Sequence, residues 1–377
     1  MGEVIRLALE AEERVRVFLL VEPKILGFVG GATKSGFPLR NMKGSRQYRG
    51  ASRELRFPVS KLEKIEWTLR HIGKHDYWHG SEPFNLAKRS DLPHKYYFDL
   101  SEKAAYHILD RKGVAIIHYG AQKRPAYNPV HIIQHGLGLY EIYLRTGDPD
   151  ARRGFTNQAS WLLRSQETKP PHVGMWPFTL DIDQLGLKSP WYSAMAQGEA
   201  ISFLLRVYLL TKDESFLKAA LRAFQPFLVD QEQGGLTTYT PRGNLFLEDC
   251  PCVSPPRILN HFIYAILALS DLHLVTGEAL YKGLFDRTIQ TVLEILPEFD
   301  AGFWSFYSLN RKRFNRLSTP FYQHIHIEQL KALHFLSGEA EILKTLEVWQ
   351  KCLANPLYRS VAIIFSYLQT FLTRSKR

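Results

Sequence analysis

Cysteine is scarce: the 377 residues contain three, and two of them flank one proline as Cys250-Pro251-Cys252. Three thiols do not make a disulfide framework, and Cys-x-Cys without a second pair lacks the ligand set of a zinc site. No uninterrupted apolar run approaches the ~18 residues a membrane span needs, and low-complexity tracts are absent. The opening MGEVIRLALEAEERVRV alternates charge with apolar side chains and lacks the unbroken core of a secretion signal. A cytoplasmic, reducing setting is therefore the expectation. Recognition-helix, zinc-finger and single-strand-binding signatures are missing as well, which leaves nucleic acid without a motif to bind it.

Positive charge, by contrast, is in excess. Lys and Arg number 48 against 37 Asp and Glu, a formal charge of +11. Such an excess fits a basic solvated surface, and it also favours a polyanionic partner such as an acidic polysaccharide. Hydrophobic residues make up 45% of the chain, enough for two domains.

The strongest pattern is a repeat. LYEIYLRTGDP (139–149), LLRVYLLTKDE (204–214), LSDLHLVTGEA (269–279) and LKALHFLSGEA (330–340) recur at spacings of 65, 65 and 61 residues. Each is an apolar helix end with leucines three and four apart, closed by Thr or Ser plus Gly or Lys, with an acidic residue opening the next helix. That period holds one helical hairpin, and a single hairpin cannot bury its apolar face alone. The expectation is an incomplete α/α toroid over 121–377, with helices at 129–146, 151–165, 191–211, 213–229, 255–276, 279–296, 322–337, 339–353 and 357–373. The aromatic loops 166–190, 230–254 and 297–321 would gather at one mouth. Residues 1–120 read instead as a smaller β-rich domain, making the whole α+β. It carries a hairpin at 14–29, a helix at 60–72 and short strands at 96–100 and 114–117.

Three loops carry the residues suited to chemistry. Trp191, Tyr192 and Gln197 sit in SPWYSAMAQGE, where aromatic faces can stack on sugars and an amide can bind hydroxyls; the same spacing also suits a core. The second holds Cys250 and Cys252, and the third a basic run that includes Arg311, Lys312, Arg313 and Arg316. A metal trio at His71, His75 and His79 is opposed by Gly73, which breaks the helix, and the pair His324 and Glu328 lacks further ligands, so no metal is expected.

WYSAMAQGEA followed by LLRVYLLTKDESFLKAALRA resembles the C-terminal domain of the D-glucuronyl C5-epimerases, which convert glucuronate to iduronate within heparan-type chains. YNPVHIIQHGL (127–137), FLEDCP (246–251), PPRILNHFIYAILALSDLHLVTG (255–277), FYSL (306–309) and YQHIHIEQL (322–330) follow in the same order. The resemblance implies an α/α toroid behind a β-domain, a homodimer, a heparosan-like substrate and no nucleotide or redox cofactor, since hydride never moves. It further implies Tyr322, Tyr307, Glu248 and Asp249 as proton-transfer candidates. Trp191, Tyr192, Gln197, Tyr127, Asn310, Arg311, Arg313 and His326 are implied as binding residues. Two departures stand out: Cys250 replaces the family's Tyr, and Asn310 falls where the family has an Arg. A thiol at 250 could shuttle a proton or merely fill space, and the basic run could lower the phenol pKa values. A uronate lyase shares the first step, C5 deprotonation, and a catalytically impaired glycan-binding protein is a further alternative.

Overall fold

The computed structural model describes residues 80–105, 108–118, 125–182, 186–250, 252, 255–309 and 315–374. The expected hairpin at 14–29, the helix at 60–72, the three histidines at 71, 75 and 79, and Asn310, Arg311 and Arg313 lie outside them. By its contacts the chain divides into Met1–Trp67 and Thr68–Arg377, and every element below belongs to the second unit.

Four helical hairpins follow one another. They are α1 (Pro129–Thr146) with α2 (Pro149–Ser165), α3 (Ala194–Thr211) with α4 (Glu214–Phe224), α5 (Leu259–Thr276) with α6 (Ala279–Ile295), and α7 (Pro320–Ser337) with α8 (Ala340–Ala354); α9 (Pro356–Arg374) packs on α8. The first helix of each hairpin forms an inner row, α1 on α3, α3 on α5 and α5 on α7. The second helices lie outside. The sequences differ accordingly: α3 is buried without a break from Ala194 to Val207, whereas α2 buries Ala151, Phe155, Ala159 and Leu162 along one stripe. A helix apolar on all sides needs protein all round, and a striped one needs it on one face. Helix α5 is long and apolar enough to cross a membrane by length and composition, but 72% of it is buried inside the protein.

The repeated punctuation is a cap. At all four hairpin turns the closing residue, Gly147, Lys212, Gly277 or Gly338, takes the left-handed conformation and donates its N–H to a carbonyl one turn back. The preceding hydroxyl donates to the carbonyl four residues earlier, at 2.8 Å for each of Thr146, Thr211, Thr276 and Ser337. The same oxygen accepts the N–H of the acidic residue that opens the next helix, at 3.2–3.3 Å. Orphan groups at one helix end and the next helix start are thus satisfied together. The string Ala-Gln-Gly at 196–198 has a packing reason: a Cβ on Gly198 would lie 2.5 Å from Ala265 Cα, so α3 and α5 approach there backbone to backbone.

Strands are few among the described residues. β1 (Ile117–His118) pairs with β2 (Pro125–Ala126), β3 (Thr237–Tyr239) with β4 (Leu245–Leu247), and β5 (Phe306–Ser308) with β6 (Arg316–Leu317), all antiparallel. The strands expected at 96–100 and 114–117 reduce to single bridges at Phe98 and Ala115 plus β1. The aromatic run 96–98 packs against helices instead of joining a ladder. Phe98 meets Tyr264 edge-on, and Tyr97 donates to Asp271 Oδ1 at 2.9 Å. Asp271 also pairs with Arg206 at 2.7 Å, both side chains fully buried, under the ring of Tyr96.

Candidate functional site

A cavity of ≈ 300 Å³ opens at the N-terminal ends of the inner helices, lined by Glu82, Lys103, Gln134, Met195, Asn260, His261, Tyr264, Tyr307, Phe321, Tyr322 and Ile325. Its size is at the lower end of ligand sites, roughly 300–1,000 Å³. Helices start here because the long inter-hairpin loops return here, so Met195, Asn260, His261 and Tyr322 all sit in first turns.

On one wall Tyr307 and Tyr322 lie with ring centroids 4.6 Å apart at 55°. The Arg316 guanidinium is 5.5 Å from the Tyr307 ring. Burial, reinforced by Tyr322 and Asp249, pushes the Tyr307 phenol well above its ordinary pKa, and Arg316 opposes it without offsetting it. The other members of the expected basic run, Arg311, Lys312 and Arg313, lie outside the described residues.

Behind Tyr307 stands His261, whose Nε2 is 3.5 Å from the Tyr307 hydroxyl and whose Nδ1 is 2.6 Å from Asp249 Oδ2. The other Asp249 oxygen accepts the Ser193 hydroxyl. Burial raises the Asp249 pKa, but His261 and the hydrogen bonds of His261, Ser193 and Cys250 together hold it below the usual value. Asp249 is not a wall of the cavity; it grips His261, which is. Glu248 points elsewhere, accepting from Thr238 Oγ1 at 2.8 Å with Arg257 Nε at 3.9 Å, and burial raises it to about 7. Cys250 donates to Asp249 at 3.5 Å, and burial beside that carboxylate pushes its thiol well up. Cys250 is buried and does not line the cavity.

Across the cavity Glu82 accepts from Lys103 and from the Tyr264 hydroxyl. Lys103 also donates to Gln134 Oε1 at 2.6 Å, and Gln134 donates to Glu199 Oε1 at 2.8 Å. Burial raises Glu82 despite Lys103 and raises Glu199 to about 8. Asn260, 3% exposed, has a side-chain oxygen with no hydrogen-bond partner.

The expected sugar-binding residues fare unevenly. Trp191 stacks on Phe178 at 4.1 Å and donates to the Leu180 carbonyl; Tyr192 packs on His172; Gln197 donates to the carbonyls of Gly174 and Ala223. All three are buried in the framework and none lines the cavity. The WYSAMAQG string contributes through Ser193 and Met195 instead. Tyr127 is half-exposed and bonded to Asp110 at 2.7 Å, away from the cavity. His326 is fully buried against Ser305 at 2.7 Å, and burial lowers its pKa to about 3, so it is a neutral structural group.

Glu82, Lys103, Tyr264, Asn260 and His261 are not among the residues that motif and spacing single out. Asn260, His261 and Tyr264 are polar interruptions within one turn of an otherwise apolar helix, a signal that was present. Glu82 and Lys103 lie in a segment without periodicity and left none.

Residues 170–351, just under half of the chain, match the family described as D-glucuronyl C5-epimerase C-terminus. The D-glucuronyl C5-epimerase of Caenorhabditis elegans is 27% identical over 214 residues, 52% of this chain and 34% of that protein. An uncharacterized protein of Methanocaldococcus jannaschii is 29% identical over 180 residues, 47% of this chain and 57% of that one. The chain thus spans about half the length, or less, of these curated relatives. Among solved structures, a glycoside hydrolase family 76 mannosidase from Bacteroides thetaiotaomicron aligns over 66% of this chain and 72% of its own, at 10% identity and a TM-score of 0.37; nothing about this chain is drawn from a likeness of that size. The likeness to the D-glucuronyl C5-epimerase C-terminus family thus lies in residues 170–351 and is shared with the Caenorhabditis elegans epimerase.

Proposed function

We propose that this protein inverts C5 of D-glucuronate residues in a heparosan-like polysaccharide, giving L-iduronate. The observation that carries the reading is the convergence on one cavity of two phenols and an imidazole from the segment that matches the epimerase family with the ammonium group of Lys103, which lies before that segment. Epimerisation breaks the C5–H bond, sends its electron pair into the adjoining carboxylate as an enediolate, and returns a proton to the opposite face. It needs a base, an acid, and a cation or donors for the developing charge. Tyr307 and Tyr322 supply the proton-transfer groups. Lys103, which lines the cavity between Glu82 and Gln134, supplies the cation that meets a uronate carboxylate. Asn260, with its oxygen unpartnered, accepts a sugar hydroxyl.

The formal charge of +11 supports a polyanionic substrate, and only protons move, so the chemistry calls for no redox cofactor. Glu248 and Asp249 leave the list of groups that meet the sugar. Homodimer assembly, implied by the sequence resemblance, belongs to the same proposal.

Proton NMR of heparosan and N-sulfoheparosan incubated with the protein in D2O tests it. Deuterium at uronate C5 with new iduronate signals is the expected result. Unsaturated-uronate signals would make the protein a lyase, and C5 left protiated on both polymers would remove the reading.

A further inference from the structure

We propose that Tyr307, His261 and Asp249 form a proton relay, in which His261 acts through Tyr307 and Asp249 acts through His261. The inference rests on the epimerase reading for its substrate, but the relay itself rests on geometry. His261 is placed by the first turn of α5 between two partners from different elements: Asp249, from the loop after β4, at 2.6 Å on Nδ1, and Tyr307, from β5, at 3.5 Å on Nε2. In the relay Asp249 accepts the Nδ1–H, which leaves the Nε2 lone pair toward the phenol. Ser193 and Cys250 also donate to Asp249 and hold it in place. A carboxylate that fixes an imidazole tautomer so that the far nitrogen accepts a hydroxyl proton is the logic of a catalytic triad, here with a phenol in place of the serine. The 3.5 Å gap is of the kind that tightens when substrate enters.

The relay answers a problem that the cavity poses. Burial disfavours a bare phenolate at Tyr307, and among the described residues Arg316 is the guanidinium set over its ring. If the phenolic proton moves to His261 Nε2 while C5–H passes to the Tyr307 oxygen, no lone phenolate forms. The C5–H bond breaks, the Tyr307 O–H is replaced by a new one, an Nε2–H forms, and the electron pair enters the uronate as an enediolate. The imidazolium is held by Asp249. A donor across the cavity, where Lys103 and Tyr264 stand, then protonates C5 from the other face and is left one proton short, while His261 holds one in excess. Transfer of that proton between them, directly or through water, resets the site.

Groups facing His261 are Asp249 and Cys250 from the β4 loop, Tyr307 from β5, Tyr322 and the deeper His326 from α7, Tyr264 from its own helix, and Glu82 and Lys103 across the cavity. Of these, Asp249 is the one with an atom in salt-bridge contact with its ring.

The test has two arms. In the first, His261→Gln is assayed for C5 deuterium exchange on heparosan and N-sulfoheparosan. The expected result is a turnover rate at least 100-fold lower with KM changed less than threefold, and at least tenfold rescue of His261→Ala by added imidazole. His261→Gln that keeps more than a third of the normal turnover rate across the pH range overturns the relay. His261→Asn replaces it should the glutamine variant fail to fold. The second arm needs no substrate: in protein labelled with 15N-histidine, NMR reads which ring nitrogen of His261 carries the proton. Nδ1–H in the wild type and Nε2–H in Asp249→Asn is expected; Nε2–H in the wild type overturns the relay. Absence of exchange by the wild type on both polymers would instead remove the epimerase reading, with the relay still decided by the tautomer.

Discussion

The rings of Tyr307 and Tyr322 meet at 4.6 Å and 55°, although one residue comes from a two-stranded ribbon and the other from the first turn of a helix. The pair is a tilted contact, which leaves both hydroxyls able to reach a sugar in the same cavity. Removing either hydroxyl deletes a proton carrier while keeping the ring that packs. Tyr307→Phe and Tyr322→Phe are each expected to lower C5 deuterium exchange by about 10²–10⁴-fold, with the thermal midpoint nearly unchanged. Exchange at wild-type rates in both variants would leave the tyrosines as wall alone.

Two buried carboxyls set a pH dependence of stability. Burial raises Glu199 to about 8 and Glu248 to about 7 from ordinary values near 4.5. A carboxyl that binds its proton more tightly folded than unfolded stabilises the native state most at low pH, below the unfolded pKa. That contribution is lost as pH rises through the folded value. The thermal midpoint should therefore decline between about pH 5 and pH 8–9, and Glu199→Gln should flatten the decline. A midpoint that rises over this window in the wild type would contradict the assignment.

The Arg206–Asp271 pair is fully buried and binds Tyr97 and the Lys95 carbonyl as well. Breaking one side strands a charge, so Asp271→Ala should cost about 3–5 kcal/mol in chemical denaturation. Replacing both residues with apolar ones of similar volume should cost much less, and a double variant as unstable as the single would show that the charge is not the cause.

Lys212 closes α3 at φ 62°, where the other three hairpins place glycine. A Cβ in the left-handed region is unfavourable, and glycine's extra unfolded freedom offsets part of the gain. Lys212→Gly is expected to raise stability by about 0.5–1 kcal/mol, read as a shift in denaturation midpoint with an unchanged slope. A loss would mean that the lysine side chain, 5.9 Å from the Tyr208 ring centroid, supplies more than the strain takes.

Much of the helical architecture was legible because its signals are local. The helix expected at 129–146 is the one observed, and Asn128, whose side chain accepts from the His131 N–H, marks its start as an N-cap does. Where boundaries moved, a cap moved them: the helix expected from 191 begins at Ala194 because Ser193 accepts the Ala196 N–H. The expected strands near 96–100 went the other way. Alternation and aromatics read as β, but Tyr97 and Phe98 found better burial against α5 than in a ladder.

Part of the candidate site was legible through the resemblance. Tyr307 and Tyr322 are in the cavity, whereas Trp191, Tyr192 and Gln197 are framework, since an aromatic at a helix start can face either way and burial decides which. Asp249 was singled out as a proton carrier, yet it lies behind His261.

The chain's own order of residues determined the hairpins: leucines at three and four, a hydroxyl, a left-handed closing residue and an acidic opener act within a dozen positions, so periodicity and capping suffice. The cavity was decided by tertiary structure. Glu82 and Tyr264 share a hydrogen bond across 182 positions, Lys103 and Gln134 across 31, Tyr307 and His261 across 46. No local rule couples such residues; they meet because stacking the inner helices buries apolar faces and brings the long loops, with their polar side chains, to one mouth.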